Sequence, residues 1–219
     1  GQITQVVDPA KQATTHTVNA LGDTLQTVSA DTGTTVRTYD TGGNLKTEKD
    51  ARNVTVTYTY DALNRLTKKQ SSQSGSPIYQ YTYDTCANGI GRLCGSLRNS
   101  VANVSFSYDA LGRLATRTDA DGVNATTAYT YRPGGQLASL TYPSGRSVAY
   151  SYDAQGRISQ VSTQPAGGVP VSVLAQNFVY GYPFAGPQSF QYGNGTGFAQ
   201  TLDQDYRPVA AVDGPRNKA

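Results

Sequence analysis

Residues 54–66 read VTVTYTYDALNRL. The first seven alternate between Val or Tyr and Thr, a period of two that puts Val54, Val56, Tyr58 and Tyr60 on one face of a strand and the threonines on the other. Asp61 then opens a turn, because its short carboxylate can accept backbone N–H groups two residues on. In the sister segments YDALGRL (108–114) and YDAQGRI (152–158), Gly112 and Gly156 supply the positive φ that closes such a turn. Arg65-Leu66 begins a second, more polar strand running back. The segment is a β-hairpin.

The hairpin recurs along the whole chain. Clear copies start at Tyr39-Asp40, Tyr60-Asp61, Tyr108-Asp109 and Tyr152-Asp153. Degenerate ones are VNALGDTL from Val18, YDTCANGIGRL from Tyr83-Asp84, YRPGGQL from Tyr131 and LDQDYRPV from Leu202. With the Tyr slot as marker, positions 18, 39, 60, 83, 108, 131 and 152 lie 21, 21, 23, 25, 23 and 21 residues apart, and a further copy is expected near Tyr180. Self-similarity at such a period signals a repeat architecture. Alternation precedes each Tyr, as in IYQYTY (78–83), VSFSY (104–108), AYTY (128–131) and VAYSY (148–152), so one face of the sheet is aromatic. A second set of turns, at Asp8, Asp31, Asp50, Asp119 and Tyr142, ends each polar strand. Two turns per repeat give two antiparallel strands per repeat, hence on the order of twenty short strands and little or no helix.

Composition agrees with this reading. Leu, Ile, Val and Phe number 40 of 219 residues, about 18%, too few for an ordinary aliphatic core, whereas 16 Tyr supply large apolar surface. The core is therefore expected to be built from tyrosine. With 18 Lys and Arg against 15 Asp and Glu and no basic block, a nucleic-acid partner is not supported. No apolar run approaches the ~20 residues of a membrane helix.

The Y-D-x-x-G-R-L motif at about 21 residues resembles the YD repeat of the Rhs family, related to repeats of Tc toxin complexes and teneurins. The stretch 179–196, VYGYPFAGPQSFQYGNGT, resembles an Rhs variant of the repeat. The resemblance implies an all-β fold of repeating antiparallel hairpins, in one long sheet that curls into a hollow shell. Residues 1–219 are then a single array, the repeat residues being structural: Tyr39, Asp40, Tyr60, Asp61, Tyr83, Asp84, Tyr108, Asp109, Gly112, Tyr131, Tyr152, Asp153 and Gly156. Because the sequence starts and stops in mid-repeat and holds no Met, it is expected to be a segment of a longer shell without a separate toxin domain. The implied function is non-enzymatic: to enclose or deliver a C-terminal toxin in a secreted or cell-surface bacterial protein. Its partners would be neighbouring repeats and the toxin, and exposed strand edges would favour self-association. The alternative is an adhesion module whose exposed Tyr faces bind carbohydrate or protein.

Few residues suggest chemistry. His16, the one histidine, occupies a slot filled elsewhere by Tyr58, Tyr81, Phe106, Tyr129 and Tyr150, and reads as a sheet-face substitution. Without a second His, a zinc site or a Ser-His-Asp arrangement lacks its parts, and no metal, cofactor or catalytic residue is expected. The pairs Asp119/Asp121 and Asp203/Asp205 have oxygen ligands that suit a cation, but they lie where other copies turn. Cys86 and Cys94 sit in the enlarged turn of the Tyr83 copy, either as a hairpin-stapling disulfide or as two free thiols. The short separation, the Asn88-Gly89 turn between them and the exported nature of the resembling family favour the bridge.

Overall fold

The structure, a computed structural model, describes residues 2–120, 122–181 and 186–214. Among these residues there are nineteen strands and no helix. The chain divides into two compact units, one comprising the chain up to Gly112 with a short segment from Asp119, the other Arg113–Thr118 and the chain from Asn124 onward.

In the first unit, β1 (Gln5–Val7), β2 (Ala13–Val18), β3 (Thr24–Ser29), β4 (Gly33–Tyr39) and β5 (Leu45–Lys49) are followed by β6 (Thr55–Tyr60), β7 (Leu66–Ser71), β8 (Tyr79–Tyr83), β9 (Leu93–Arg98) and β10 (Val101–Tyr108). Each pairs antiparallel with the strand before it. β11 (Leu114–Asp119) lies at the division. In the second unit, β12 (Ala125–Tyr131), β13 (Leu137–Thr141), β14 (Ser147–Tyr152), β15 (Ile158–Gln164), β16 (Ser172–Val179), β17 (Ser189–Tyr192), β18 (Gly197–Leu202) and β19 (Pro208–Gly214) form a meander of the same kind. The repeated hairpins expected from the alternation are all present as strands.

The hairpins that begin at Tyr39, Tyr60, Tyr83, Tyr131 and Tyr152 carry the same irregularity. Thr59 faces Lys68 but Tyr60 faces Leu66, so Thr67 has no opposite number. The same skip separates Thr38↔Thr47 from Tyr39↔Leu45 and Ser151↔Gln160 from Tyr152↔Ile158. A bulge of this kind bends the strand and raises its twist locally, and here it recurs at the same position in successive repeats.

Burial follows the period of two. Tyr58 and Tyr60 are half-buried, whereas Thr57 and Thr59 are exposed. The tyrosines expected to build the core line one face of the sheet, and the structure leaves them half-buried. Among the described residues no Tyr or Phe is fully buried, and the buried apolar side chains are Cys94 and Ala175. The physical reason is that each strand packs only on its immediate neighbours. Within each unit the sheet is one layer, so a ring is covered by the side chains flanking it on its own face and not by an opposing layer.

Half-burial scales the expected cost of losing a ring. Removing a fully buried aromatic costs about 3–5 kcal/mol, so Tyr60→Ala is expected to destabilise by roughly half that, and exposed Thr57→Ala by about 0.5 kcal/mol or less. Chemical denaturation of both variants measures the difference; equal losses on the two faces would mean that the aromatic face is not the one that holds the sheet together.

Candidate functional site

The residues that set this chain apart are those of the Tyr-Asp turns. In the third of them, Asp61 Oδ1 accepts the backbone N–H groups of Leu63 and Arg65, both at 2.9 Å. The main chain closes the loop with Asp61 N–H donating to the Arg65 carbonyl and Asn64 N–H donating to the Asp61 carbonyl, each at 3.0 Å. Asp40, Asp153 and Asp203 cap their turns with the same pair of bonds to residues two and four positions on. Asn19 does so in the degenerate first copy. In the Tyr131 copy Arg132 holds the Asp slot, and the turn keeps its backbone bonds without a carboxylate. Asp203 is therefore committed to its turn, while Asp121 lies outside the described residues.

The tyrosines tie one hairpin to the one before it. The Tyr60 hydroxyl donates to the Leu45 carbonyl at 2.9 Å, and Tyr39 reaches Thr24, Tyr83 reaches Leu66 and Tyr108 reaches Leu93 in the same way. In the second unit Tyr131 reaches Leu114, Tyr152 reaches Leu137, and Tyr180 reaches Ile158, which completes the copy expected near Tyr180. Partial burial pushes the phenols of Tyr60, Tyr83 and Tyr180 above their ordinary value, keeping them protonated donors.

The Arg of the motif makes a second tie, forward to the next hairpin. Arg65 bonds its own Asp61 through Nε at 2.7 Å and grips Asp84 of the next turn through Nη1 and Nη2 at 3.0 and 2.6 Å. Its guanidinium also lies 4.4 Å from the Tyr83 ring centre. Arg92 over Tyr108, Arg113 over Tyr131 and Arg157 over Tyr180 repeat the stacking. Arg92 also lies against Gly112, where φ is +73° and any side chain would meet the guanidinium. That glycine is required twice, by its conformation and by its neighbour. The sequence gives no direct sign of these Arg contacts, because the partners are 16 to 23 residues away and are brought together only by the hairpin register.

Cys86 and Cys94 form a disulfide with Cα atoms 5.5 Å apart. The bridge lies in the one Tyr-Asp turn of the first unit that exceeds five residues. There Asp84 Oδ1 accepts the distant Gly91 N–H at 2.6 Å, and the Asn88 side-chain amide donates to the Tyr108 carbonyl at 3.1 Å. Cys94 is only 6% exposed, and a side chain on Gly89 would collide with both sulfurs. His16 sits on the aromatic face with Nδ1 3.2 Å from Thr27 Oγ1. Thr27 also accepts from Arg37, whose Nε donates to Glu48, the one glutamate, at 2.7 Å. Sequence reading had assigned no role to this Arg37–Glu48 pair.

Two tests follow from the turn chemistry. The Arg65 N–H, aided by its guanidinium, holds the Asp61 carboxyl below the usual range, and the Arg65 side chain followed by the Gly91 N–H does the same for Asp84. Since both are depressed in the folded state, their contribution is complete above the ordinary Asp value of about 3.9 and is lost as pH falls through the lower folded values. Asp61→Asn keeps the oxygen that caps the turn, as Asn19 does, and removes the charge. It is expected to fold at neutral pH and to show a shallower loss of stability below pH 4, measured by thermal melts across pH; an unchanged acid profile would refute the assignment. Reduction of the disulfide is expected to cost about 2–3 kcal/mol for so small a loop. Alkylation counting by intact mass, with and without reductant, and denaturation of both forms check this; two free thiols in unreduced protein from an oxidising compartment would overturn it.

Comparison with known proteins bears on the same turns. A family model described as the teneurin YD-shell matches residues 88–180, and one described as the RHS repeat matches residues 39–76. A tRNA3(Ser)-specific nuclease WapA of Bacillus spizizenii is 27% identical, and a tRNA nuclease WapA of Bacillus subtilis 28% identical, each over 95% of this chain. The chain spans only 9% of the length of either relative. Among solved structures, a crystal structure of TcdB2-TccC3 superposes with a TM-score of 0.73 at 16% identity, covering 91% of this chain and 13% of that one. A Photorhabdus luminescens Tc holotoxin pore structure carrying the TccC3 mutation D651A gives 0.74 at 16% identity, covering 94% and 12%. These structures share the fold. The two matched segments carry the turns whose geometry recurs throughout, so over residues 39–76 the chain is similar to the RHS repeat and over residues 88–180 to the teneurin YD-shell.

Proposed function

We propose that residues 1–219 are a single non-enzymatic array of Rhs/YD repeats that forms part of the wall of a shell, and that a longer protein uses this shell to enclose or deliver a toxin domain. One observation carries the reading: the hydroxyl of each Tyr from Tyr39 through Tyr180 in the seven tied copies is spent on a carbonyl of the preceding hairpin. The residues that recur are used to hold repeats to one another, as a wall requires, and are not converged on a reacting atom.

The names of the relatives support a toxin context. The two WapA proteins are named as tRNA nucleases, but this chain corresponds to 9% of each. We assign the nuclease activity of such a protein to a part other than these repeats. The partners are then neighbouring repeats and an enclosed toxin, in a bacterial protein acting outside the cell or at its surface. No helix among the described residues is long and apolar enough to cross a membrane.

Two measurements test the reading together. Incubation of the purified chain with tRNA is expected to leave the tRNA intact, and cleavage that survives further purification would overturn the non-enzymatic assignment. Limited proteolysis of a toxin-sized cargo is expected to proceed freely when the cargo is co-expressed with this chain alone and to be blocked when further repeats flank it on both sides. Equal cleavage in the two cases would argue against a shell.

A further inference from the structure

The Cys86–Cys94 bridge stands where the repeat has lost its usual device. In the turns at Asp40, Asp61 and Asp153 one carboxylate oxygen accepts two backbone N–H groups and closes the loop by itself. Asp84 closes the base of a longer turn. Its Oδ1 accepts the Gly91 N–H, its own N–H donates to the Arg92 carbonyl at 3.1 Å, and Arg65 clamps its carboxylate from the preceding hairpin. Above that base, residues 85–90 are tied by the disulfide, by the Gly89 N–H donating to the Cys86 carbonyl at 3.0 Å, and by the Arg92 N–H donating to the Gly89 carbonyl at 2.9 Å. The Asn88 amide reaches on to the Tyr108 carbonyl of the next hairpin. Thr85, Ala87, Asn88 and Ile90 are exposed, so little packing backs these bonds.

The two cysteines are not equivalent. Tyr83 faces Leu93 and Thr82 faces Gly95, so Cys94 is the unpaired residue of the bulge, the slot that Lys46, Thr67, Ala138 and Ser159 fill in other copies. Its strand β9 is paired on both sides, with β8 and with β10, and the residue is 6% exposed. Cys86 is half-buried in the loop, and its backbone N–H donates to Cys94 Sγ at 3.0 Å. A thiolate approaching from solvent therefore meets Cys86 Sγ first. Cys94 Sγ then departs with a hydrogen-bond donor already aimed at it, which lowers its pKa and makes it the better leaving group.

We propose that the bridge is a redox latch on this turn, opened at Cys86 by a dithiol reductant. The first thiolate of the reductant bonds to Cys86 Sγ as the S–S bond breaks and Cys94 leaves as a thiolate. The second thiolate then displaces Cys86, so the dithiol ends as a disulfide and the two cysteines take up its two electrons and two protons. Opening frees residues 85–90 and with them the Asn88 tie to the Tyr108 hairpin, while the Asp84 base and the ladder of β8, β9 and β10 hold. The latch is closed in an oxidising compartment and open in a reducing one. It is independent of whether the array encloses a cargo.

Brief exposure of the folded, oxidised protein to glutathione, quenched in acid and mapped by mass, is expected to place the mixed disulfide on Cys86. A mixed disulfide on Cys94, or no reaction until the chain is unfolded, would overturn the proposal. After full reduction with dithiothreitol, hydrogen exchange is expected to rise at least about tenfold in the amides of 85–90. It is expected to change by less than about twofold in β8, β9 and β10 and in the bridge-free turns at 61–65 and 109–113. Cys86→Ser is expected to reproduce the reduced pattern with no reductant present. Unchanged exchange in 85–90, in the reduced protein or in Cys86→Ser, would show that the turn does not depend on the bridge. Loss of protection throughout β8, β9 and β10 would make the bridge a staple of the whole hairpin; either result sinks the latch.

Discussion

A hydrogen bond from a tyrosine hydroxyl to a main-chain carbonyl of the neighbouring strand closes a gap that the sheet leaves between successive hairpins. Pairing between β5 and β6 ends at Thr47↔Thr57, so the Leu45 carbonyl lies beyond the ladder. Tyr60, at the end of β6, supplies the missing donor. The same holds where β13 and β14 part after Ser139↔Ala149 and Tyr152 takes the Leu137 carbonyl. Leaving such a carbonyl without a partner costs about 1–3 kcal/mol when it is shielded from water. Phe in the Tyr slot would cover the sheet equally well and leave the carbonyl open, which is a physical reason for Tyr at this position.

Much else in the molecule depends on that bond being made at the right place. The Asx-type cap at the following Asp sets the turn length, and the bulge after the Leu slot rotates the returning strand so that its Leu carbonyl faces the next Tyr. Arg65 then joins two successive turns through their carboxylates. Because strands touch only their neighbours, stability is close to a sum of repeat and nearest-neighbour contributions. Where one repeat is irregular, the array needs a local remedy. The Tyr83 copy has a turn too long for the usual Asp cap, and it is held instead by the Cys86–Cys94 bridge, the Gly91 bond to Asp84 and the Arg65 clamp.

The strands, the two turns per repeat and the faces were legible in the sequence because each depends on neighbours in the chain. VTVTYTY states its own period, and Asp with a following Gly states its own turn. The ties between repeats were not legible in the same way. Tyr60 and Leu45 are 15 residues apart, and Tyr83 and Leu66 are 17, so the contact exists only after the intervening turn has paired the two strands. A signal was nonetheless there: Leu45/Tyr60, Leu93/Tyr108 and Leu137/Tyr152 all share the interval of 15. The degree of burial was not legible for a different reason. A count of tyrosines measures the apolar surface that is present, but only the number of layers decides how much of it leaves water.

The aromatic face is also chemically mixed, and the mixture constrains what it can meet. His16, Thr27, Arg37 and Glu48 form a hydrogen-bonded chain across β2, β3, β4 and β5 on the side that carries the tyrosines. The side chains of Arg37 and Glu48 retain 26% and 34% of their exposure. Sealing that pair under a dry apolar layer would cost several kcal/mol per ion before their attraction is counted. Lys69 extends over the Tyr58 ring on the same face, where a cation gains from the ring only while its remaining solvation is kept. A surface of this composition suits water or a polar occupant better than it suits a second hydrophobic sheet. In that respect the single layer and the polar stripe agree: the first unit presents a face in which tyrosine rings stiffen the sheet while ionic and amphipathic side chains keep it compatible with water.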